Sequence, residues 1–147
     1  MRRYLPDSWP LPALTPFNRP FFTSGRIMLQ RCAACGAVQH PPEEVCHRCL
    51  ALEFDYVASQ GYGVIYSYVV QHYAPAPVLQ EVVPFNIVLV QLEDFPQVRI
   101  VGNVVNCPPQ ELAIGQRVRA VFVPVQDEEL GETLLLPHWE RVDSAQG

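Results

Sequence analysis

The chain contains no lysine; all ten of its basic residues are arginine. That absence excludes a Schiff-base lysine and a P-loop lysine together. Charge of either sign is sparse, at 17% of 147 residues, and the net charge is −5. A clustered basic surface for tracking a phosphate backbone is therefore missing. No run approaches about 20 uninterrupted apolar residues, so no membrane-spanning helix is expected. The N-terminal stretch meets Pro6 before an apolar signal core can form, which predicts a cytoplasmic protein. There is no Gly-x-Ser-x-Gly, no His-Glu-x-x-His and no glycine-rich phosphate loop. Room for long helices is lacking as well, because 15 prolines punctuate the sequence.

What the chain does have is Cys32-x-x-Cys35, ten residues, then Cys46-x-x-Cys49. Each Cys-x-x-Cys knuckle turns two thiolates toward one point, and two knuckles complete a tetrahedron around Zn²⁺. Four cysteines leave no open coordination position, so the predicted site is structural. The same donors also accept iron. His40 and His47 flank the site without displacing a cysteine. His47 is expected to support the metal through its backbone N–H on sulfur, and His40 to face solvent. The fifth cysteine, Cys107, lies between Asn106 and Pro108-Pro109, which excludes a helix start of the nucleophile-elbow type and leaves only His72 or His138, approaching in space, to activate it. It reads as a structural thiol.

The remainder is strand after strand. A proline-rich leader, residues 1–26, carries a short helix over residues 16–24 with Phe17, Phe21 and Phe22 as its apolar stripe. Residues 27–31 and 37–40 form a hairpin that frames a zinc ribbon, residues 27–50. From residue 53 onward the alternation of β-branched and aromatic side chains predicts strands at 53–59, 63–73, 85–92, 98–105, 117–123 and 133–142. A proline-stiffened loop spans 74–83. The expected fold is mainly β: a short helix, a rubredoxin-like zinc ribbon, then a five-to-six-stranded OB-fold barrel over 51–142. A flexible tail is expected at 143–147.

The order of the parts is itself informative. Arg31-Cys32-Ala-Ala-Cys35-Gly36 is followed by Cys46-His-Arg-Cys49, then Gly61-Tyr62-Gly63-Val64-Ile65-Tyr66-Ser67. Pro84-Phe85-Asn86 and Ile114-Gly115-Gln116-Arg117-Val118 complete the series. This order resembles the DUF35 family, a rubredoxin-like zinc ribbon followed by an OB-fold, over roughly residues 15 to 142. The resemblance implies a non-catalytic accessory subunit, with a thiolase-like protein or a MaoC-like hydratase as partner and a CoA thioester as ligand of the complex. Catalysis would lie on the partner. Two positions depart from the pattern. Leu50 follows Cys49 where many relatives carry glycine, which predicts a more strained turn. Glu43-Glu44 replaces a basic residue, which argues against phosphate contact there.

Two surfaces are candidates for contacts. Phe17, Phe21, Phe22, Pro75 and Pro77 are candidates for the partner interface, the phenylalanines alternatively capping the chain's own core. Arg99, Arg117 and Arg119, on predicted barrel strands, are candidates for CoA phosphates. The competing functions are a free-standing acyl-CoA-binding protein and a single-stranded nucleic-acid-binding OB-fold. The acidic, lysine-free composition disfavours the second.

Overall fold

The computed structural model describes residues 2–143. Residues 144–147, where most of the flexible tail was expected, lie outside the described residues. No helix among those described is long and apolar enough to cross a membrane.

The leader turns at residues 6–9, where the Trp9 N–H donates to the Pro6 carbonyl at 2.9 Å, and leads into one short helix, α1 (Arg19–Thr23). It is shorter than the expected 16–24. Thr15 and Asn18 exchange side-chain bonds with each other's backbone N–H, at 2.7 and 3.1 Å. That exchange shapes residues 16–18 as a single turn closed by the Arg19 N–H on the Thr15 carbonyl at 3.0 Å, and the regular helix starts at Arg19. Pro20, in the first turn, sacrifices no needed donor.

Two sheets follow. The first has the order β2-β1-β3, with β1 (Met28–Cys32), β2 (Val38–Gln39) and β3 (Phe54–Ala58). Sequence pattern placed the strand over 53–59 with the barrel. It instead pairs antiparallel with β1, Leu29 opposite Val57 and Arg31 opposite Asp55. Period-2 alternation shows that a strand exists but not which neighbour it joins.

The second sheet is the barrel, ordered β6-β5-β4-β8-β9-β7. Its strands are β4 (Tyr62–Gln71), β5 (Phe85–Leu92), β6 (Arg99–Gly102), β7 (Val104–Val105), β8 (Arg117–Asp127) and β9 (Glu132–Arg141). The strand expected over 98–105 is split at Asn103. Its first half pairs antiparallel with β5 and its second half parallel with β9, which closes the barrel. Buried Asn86 stabilises the break. Its Oδ1 accepts from the Val104 N–H at 2.8 Å, and its Nδ2 donates to the Val104 carbonyl at 2.9 Å. Gly63 marks the tightest approach: a Cβ there would stand 2.5 Å from the Gln91 carbonyl oxygen of β5.

One hydrophobic core joins all three parts. Phe21 of α1 and Leu29 of β1 pack with Ile65, Val90, Val118 and Trp139 of the barrel. Full burial of such side chains stabilises by about 1.5–3 kcal/mol each. The ribbon is thereby fixed against the barrel.

Candidate metal centre and the neighbouring cleft

The two knuckles are copies of one local geometry. In the first, the Gly36 N–H donates to the Cys32 carbonyl at 2.9 Å, and in the second the Leu50 N–H donates to the Cys46 carbonyl at 3.0 Å. Both turns need a left-handed residue, Gly36 at φ +77° and Leu50 at φ +66°. A Cβ on Gly36 would meet nothing within 4 Å, so backbone conformation alone favours glycine there. Leu50 adopts the same conformation at the strain cost anticipated from its sequence position.

The four sulfurs converge, all within 4.8 Å of one another. Cys32 Sγ lies 3.5 Å from Cys49 Sγ, and Cys35 Sγ lies 3.7 Å from Cys46 Sγ. A tetrahedral ion with metal–sulfur bonds of about 2.3 Å has edges of about 3.8 Å, so the donors fit such an ion. Backbone N–H groups aim at the sulfurs, from Cys35 onto Cys32 at 3.5 Å and from Arg48 onto Cys46 at 3.4 Å. The N–H groups of Cys49 and Arg48 pull the Cys46 thiol down to about 6. The Cys35 N–H likewise lowers Cys32. Although the Ala51 N–H favours its thiolate, Cys49 is pushed up to about 12 by the neighbouring sulfurs. A bound cation removes that competition and lets all four serve as thiolates. The residues that would hold zinc are Cys32, Cys35, Cys46 and Cys49, and its contribution would be structural.

Both histidine expectations are corrected. The His47 N–H donates to Gln39 Oε1 at 3.0 Å, not to sulfur. His40 is half-buried at the edge of the neighbouring cleft rather than turned out to solvent. Its ring packs at 5.0 Å from Phe21, its Nδ1 is buried without a hydrogen-bond partner among the described residues, and burial lowers its pKa to about 4.

Two buried glutamines, which sequence reading missed, hold the loop between the knuckles. Gln30 and Gln39 sit opposite each other on β1 and β2, and Gln39 Nε2 donates to Gln30 Oε1 at 2.8 Å. Gln30 Nε2 donates to the Glu43 carbonyl at 2.7 Å, while Gln30 Oε1 accepts from the Glu43 N–H at 2.9 Å. Gln39 Nε2 also reaches the Val45 carbonyl. Polar residues on a short strand read as solvent-facing, so no pattern signal distinguishes these.

Beside the ribbon lies a cleft of about 1050 Å³, walled by the leader, α1, the barrel and the 3₁₀ turn Pro77–Glu81. The leader is pinned into the barrel seam. Tyr4 Oη accepts from the Asn86 N–H at 2.9 Å, and the Tyr4 N–H donates to His138 Nε2 at 3.0 Å. His138 Nδ1 lies 3.0 Å from the Leu136 carbonyl, so the neutral tautomer satisfies both contacts. Burial lowers its pKa, with Arg3 adding to the effect.

The candidate contact residues are dispersed. Phe21 is buried, 6% exposed, while Phe17 and Phe22 are half-buried. Pro75 and Pro77 are exposed, Pro75 at the cleft. Arg117 is paired with Glu93 at 2.7 Å and Arg119 with Glu140. Arg99 stacks at 3.9 Å over the Tyr66 ring and lines the cleft. Cys107 is half-buried, and burial raises its pKa.

Comparison with known proteins matches these parts in order. The ChsH2 rubredoxin-like zinc ribbon domain model matches residues 23–55, and the ChsH2 C-terminal OB-fold domain model matches residues 56–123. A probable enoyl-CoA hydratase alpha subunit of Thermomonospora curvata is 36% identical over 112 residues, covering 74% of this chain. This chain spans only 34% of that longer protein. A DUF35 domain-containing scaffold protein of Methanocaldococcus jannaschii is 35% identical over 99 residues, 67% of this chain and 68% of the relative. A solved chain described as Ltp2-ChsH2(DUF35) aldolase superposes with a TM-score of 0.69 at 32% identity, covering 89% of this chain and 98% of that one. With knuckles, barrel and relatives in agreement, the chain belongs to the DUF35 family of zinc-ribbon and OB-fold proteins.

Proposed function

We propose that this chain is a non-catalytic accessory subunit. It docks on a thiolase-like enzyme, or on a MaoC-like hydratase, stabilises it and helps shape the entrance for its acyl-CoA substrate. The observation that carries this reading is the likeness, across nearly the whole of that chain, to the Ltp2-ChsH2(DUF35) aldolase structure. The relatives described as scaffold protein and hydratase subunit agree with it. Local chemistry agrees too. Four of the five thiols converge on one tetrahedral site suited to zinc, and burial holds the fifth toward its unreactive protonated form. We assign zinc as the resident ion and the cytoplasm as the compartment, where thiols persist reduced.

The barrel also offers a surface fit for a partner. Val69 is 56% exposed and Val101 68%, and Tyr66 is exposed as well. Ile87 opposite Val69 and Leu89 opposite Val101 in the sheet register extend the two valines across neighbouring strands as an apolar strip. Phe17, Phe22, Pro75 and Pro77 extend the proposed interface from the leader and loop.

An acyl-CoA site on the chain alone is the second reading, and the arginines give it limited support. Glu93 and Glu140 already neutralise Arg117 and Arg119, which leaves Arg99 for phosphate. The same pairing disfavours nucleic acid. The deciding experiment is co-purification of the tagged full chain from its native host, with the companion identified by mass spectrometry. A stoichiometric thiolase-like or hydratase subunit supports the proposal. Turnover of an acyl-CoA by the purified chain alone refutes it.

A further inference from the structure

The cleft beside the ribbon has a composition unlike the rest of the molecule. The chain carries 15 acidic residues against ten arginines, yet no Asp or Glu among the described residues lines the cleft. Its walls are apolar, with Leu5 and Trp9 from the leader, Phe22 from α1, and Phe85, Ile87 and Ile100 from the barrel. Several of its polar groups are already committed. Asn103 Nδ2 donates to the Asn86 carbonyl, and both ring nitrogens of His138 are engaged.

Two guanidiniums keep free donors. Arg3 gives one N–H to the Trp9 carbonyl at 2.9 Å and makes no ion pair among the described residues. Asp7, the carboxylate acting on it, is bridged to Arg2. Arg99 has no carboxylate partner among the described residues either, and it stacks its flat face on Tyr66. Stacking uses the π face of a guanidinium and leaves the N–H edge available to an anion. A volume of about 1050 Å³ suits a small organic molecule.

From these observations we propose that the cleft binds an apolar organic acid, its hydrophobic body between leader and barrel and its carboxylate on the free N–H edge of Arg99, with Arg3 a second cation of the same lining. Coenzyme A is a poor match, because its three phosphate groups need more cations than these two. Leu5 and Trp9 belong to the leader and Phe85, Ile87 and Ile100 to the barrel, so the bound hydrophobic body packs between the two and orders the leader. The inference does not rest on the accessory-subunit reading: a docked chain with no ligand in the cleft, or a ligand-binding chain with no partner, would separate them.

The test uses the zinc-loaded full chain. 1-Pyrenebutyrate, followed by its fluorescence, and laurate, followed by calorimetry, probe a fused-ring and a linear acid. Both are expected to bind with Kd below about 100 μM. Arg99→Gln and Arg3→Gln should each weaken binding by about ten-fold, while Arg26→Gln, outside the cleft, should leave it unchanged. Hydrogen exchange at residues 3–9 should slow when the acid binds. Dodecyltrimethylammonium and coenzyme A should not compete. Arg99→Gln is the decisive variant, since that exposed side chain does not anchor the leader; circular dichroism verifies its fold. Wild-type affinity in Arg99→Gln, equal competition by the cationic tail, or no binding of either acid below about 1 mM overturns the proposal.

Discussion

Replacing Gln30 with alanine should damage metal binding although no ligand is touched. Gln30 is 1% exposed and makes three hydrogen bonds, two to the Glu43 backbone and one to Gln39. At about 1 kcal/mol net for each bond, their loss destabilises the loop between the knuckles by about 3 kcal/mol. That loop delivers Cys46 and Cys49, so its ordering is linked to metal affinity. With about 1.4 kcal/mol per factor of ten, the apparent zinc affinity should fall about 100-fold. A chelator competition titration at pH 7.5 measures it. Glu43→Ala is the internal control: only the Glu43 backbone joins the network, and its affinity should stay within about two-fold of wild type. If Gln30→Ala binds zinc within about three-fold of wild type, the glutamine pair does not hold the site together.

Leu50→Gly should stabilise the ribbon by about 1 kcal/mol, because Leu50 is 73% exposed at φ +66° and glycine relieves the strain without losing packing. A rise in Tm of about 2–4 °C is expected, and a fall would contradict the strain argument. Gly63→Ala should cost about 3 kcal/mol or more, since its Cβ would stand 2.5 Å from backbone oxygen of the adjacent strand; unchanged urea stability would show that β5 yields easily. His40, with a folded pKa of about 4 against an ordinary 6.5, is held neutral by burial. Its contribution is therefore complete above pH 6.5 and declines toward pH 4, by up to about 1.4 kcal/mol per pH unit. Urea unfolding from pH 7 to 5 should show a shallower pH dependence in His40→Phe than in wild type, and equal slopes would place His40 in contact with water.

The parts legible in the sequence are those with a local signature. The knuckles declare themselves by spacing, and β5 by its continuous apolar run matches the expected 85–92. The strand over 98–105 was legible as apolar chain but not as two pairings, because its break at Asn103 depends on Asn86, a residue of another strand. Assignment of 54–58 to the ribbon depends on its partner β1, which alternation does not identify. The leader's role was least accessible. Its anchors join Tyr4 to His138 and to Asn86, contacts 134 and 82 residues apart in sequence. Gln30 and Gln39 escaped notice because burial of a satisfied amide leaves no mark in hydropathy.

The central claim, an accessory role beside an acyl-CoA enzyme, is tested most directly by the mass of the native assembly. The tagged chain, purified from its host and measured by native mass spectrometry, should carry a thiolase-like or hydratase subunit in fixed stoichiometry. Acyl-CoA turnover should reside in that complex and not in the isolated chain. A chain that purifies alone with one bound metal, or that processes acyl-CoA unaided, contradicts the account.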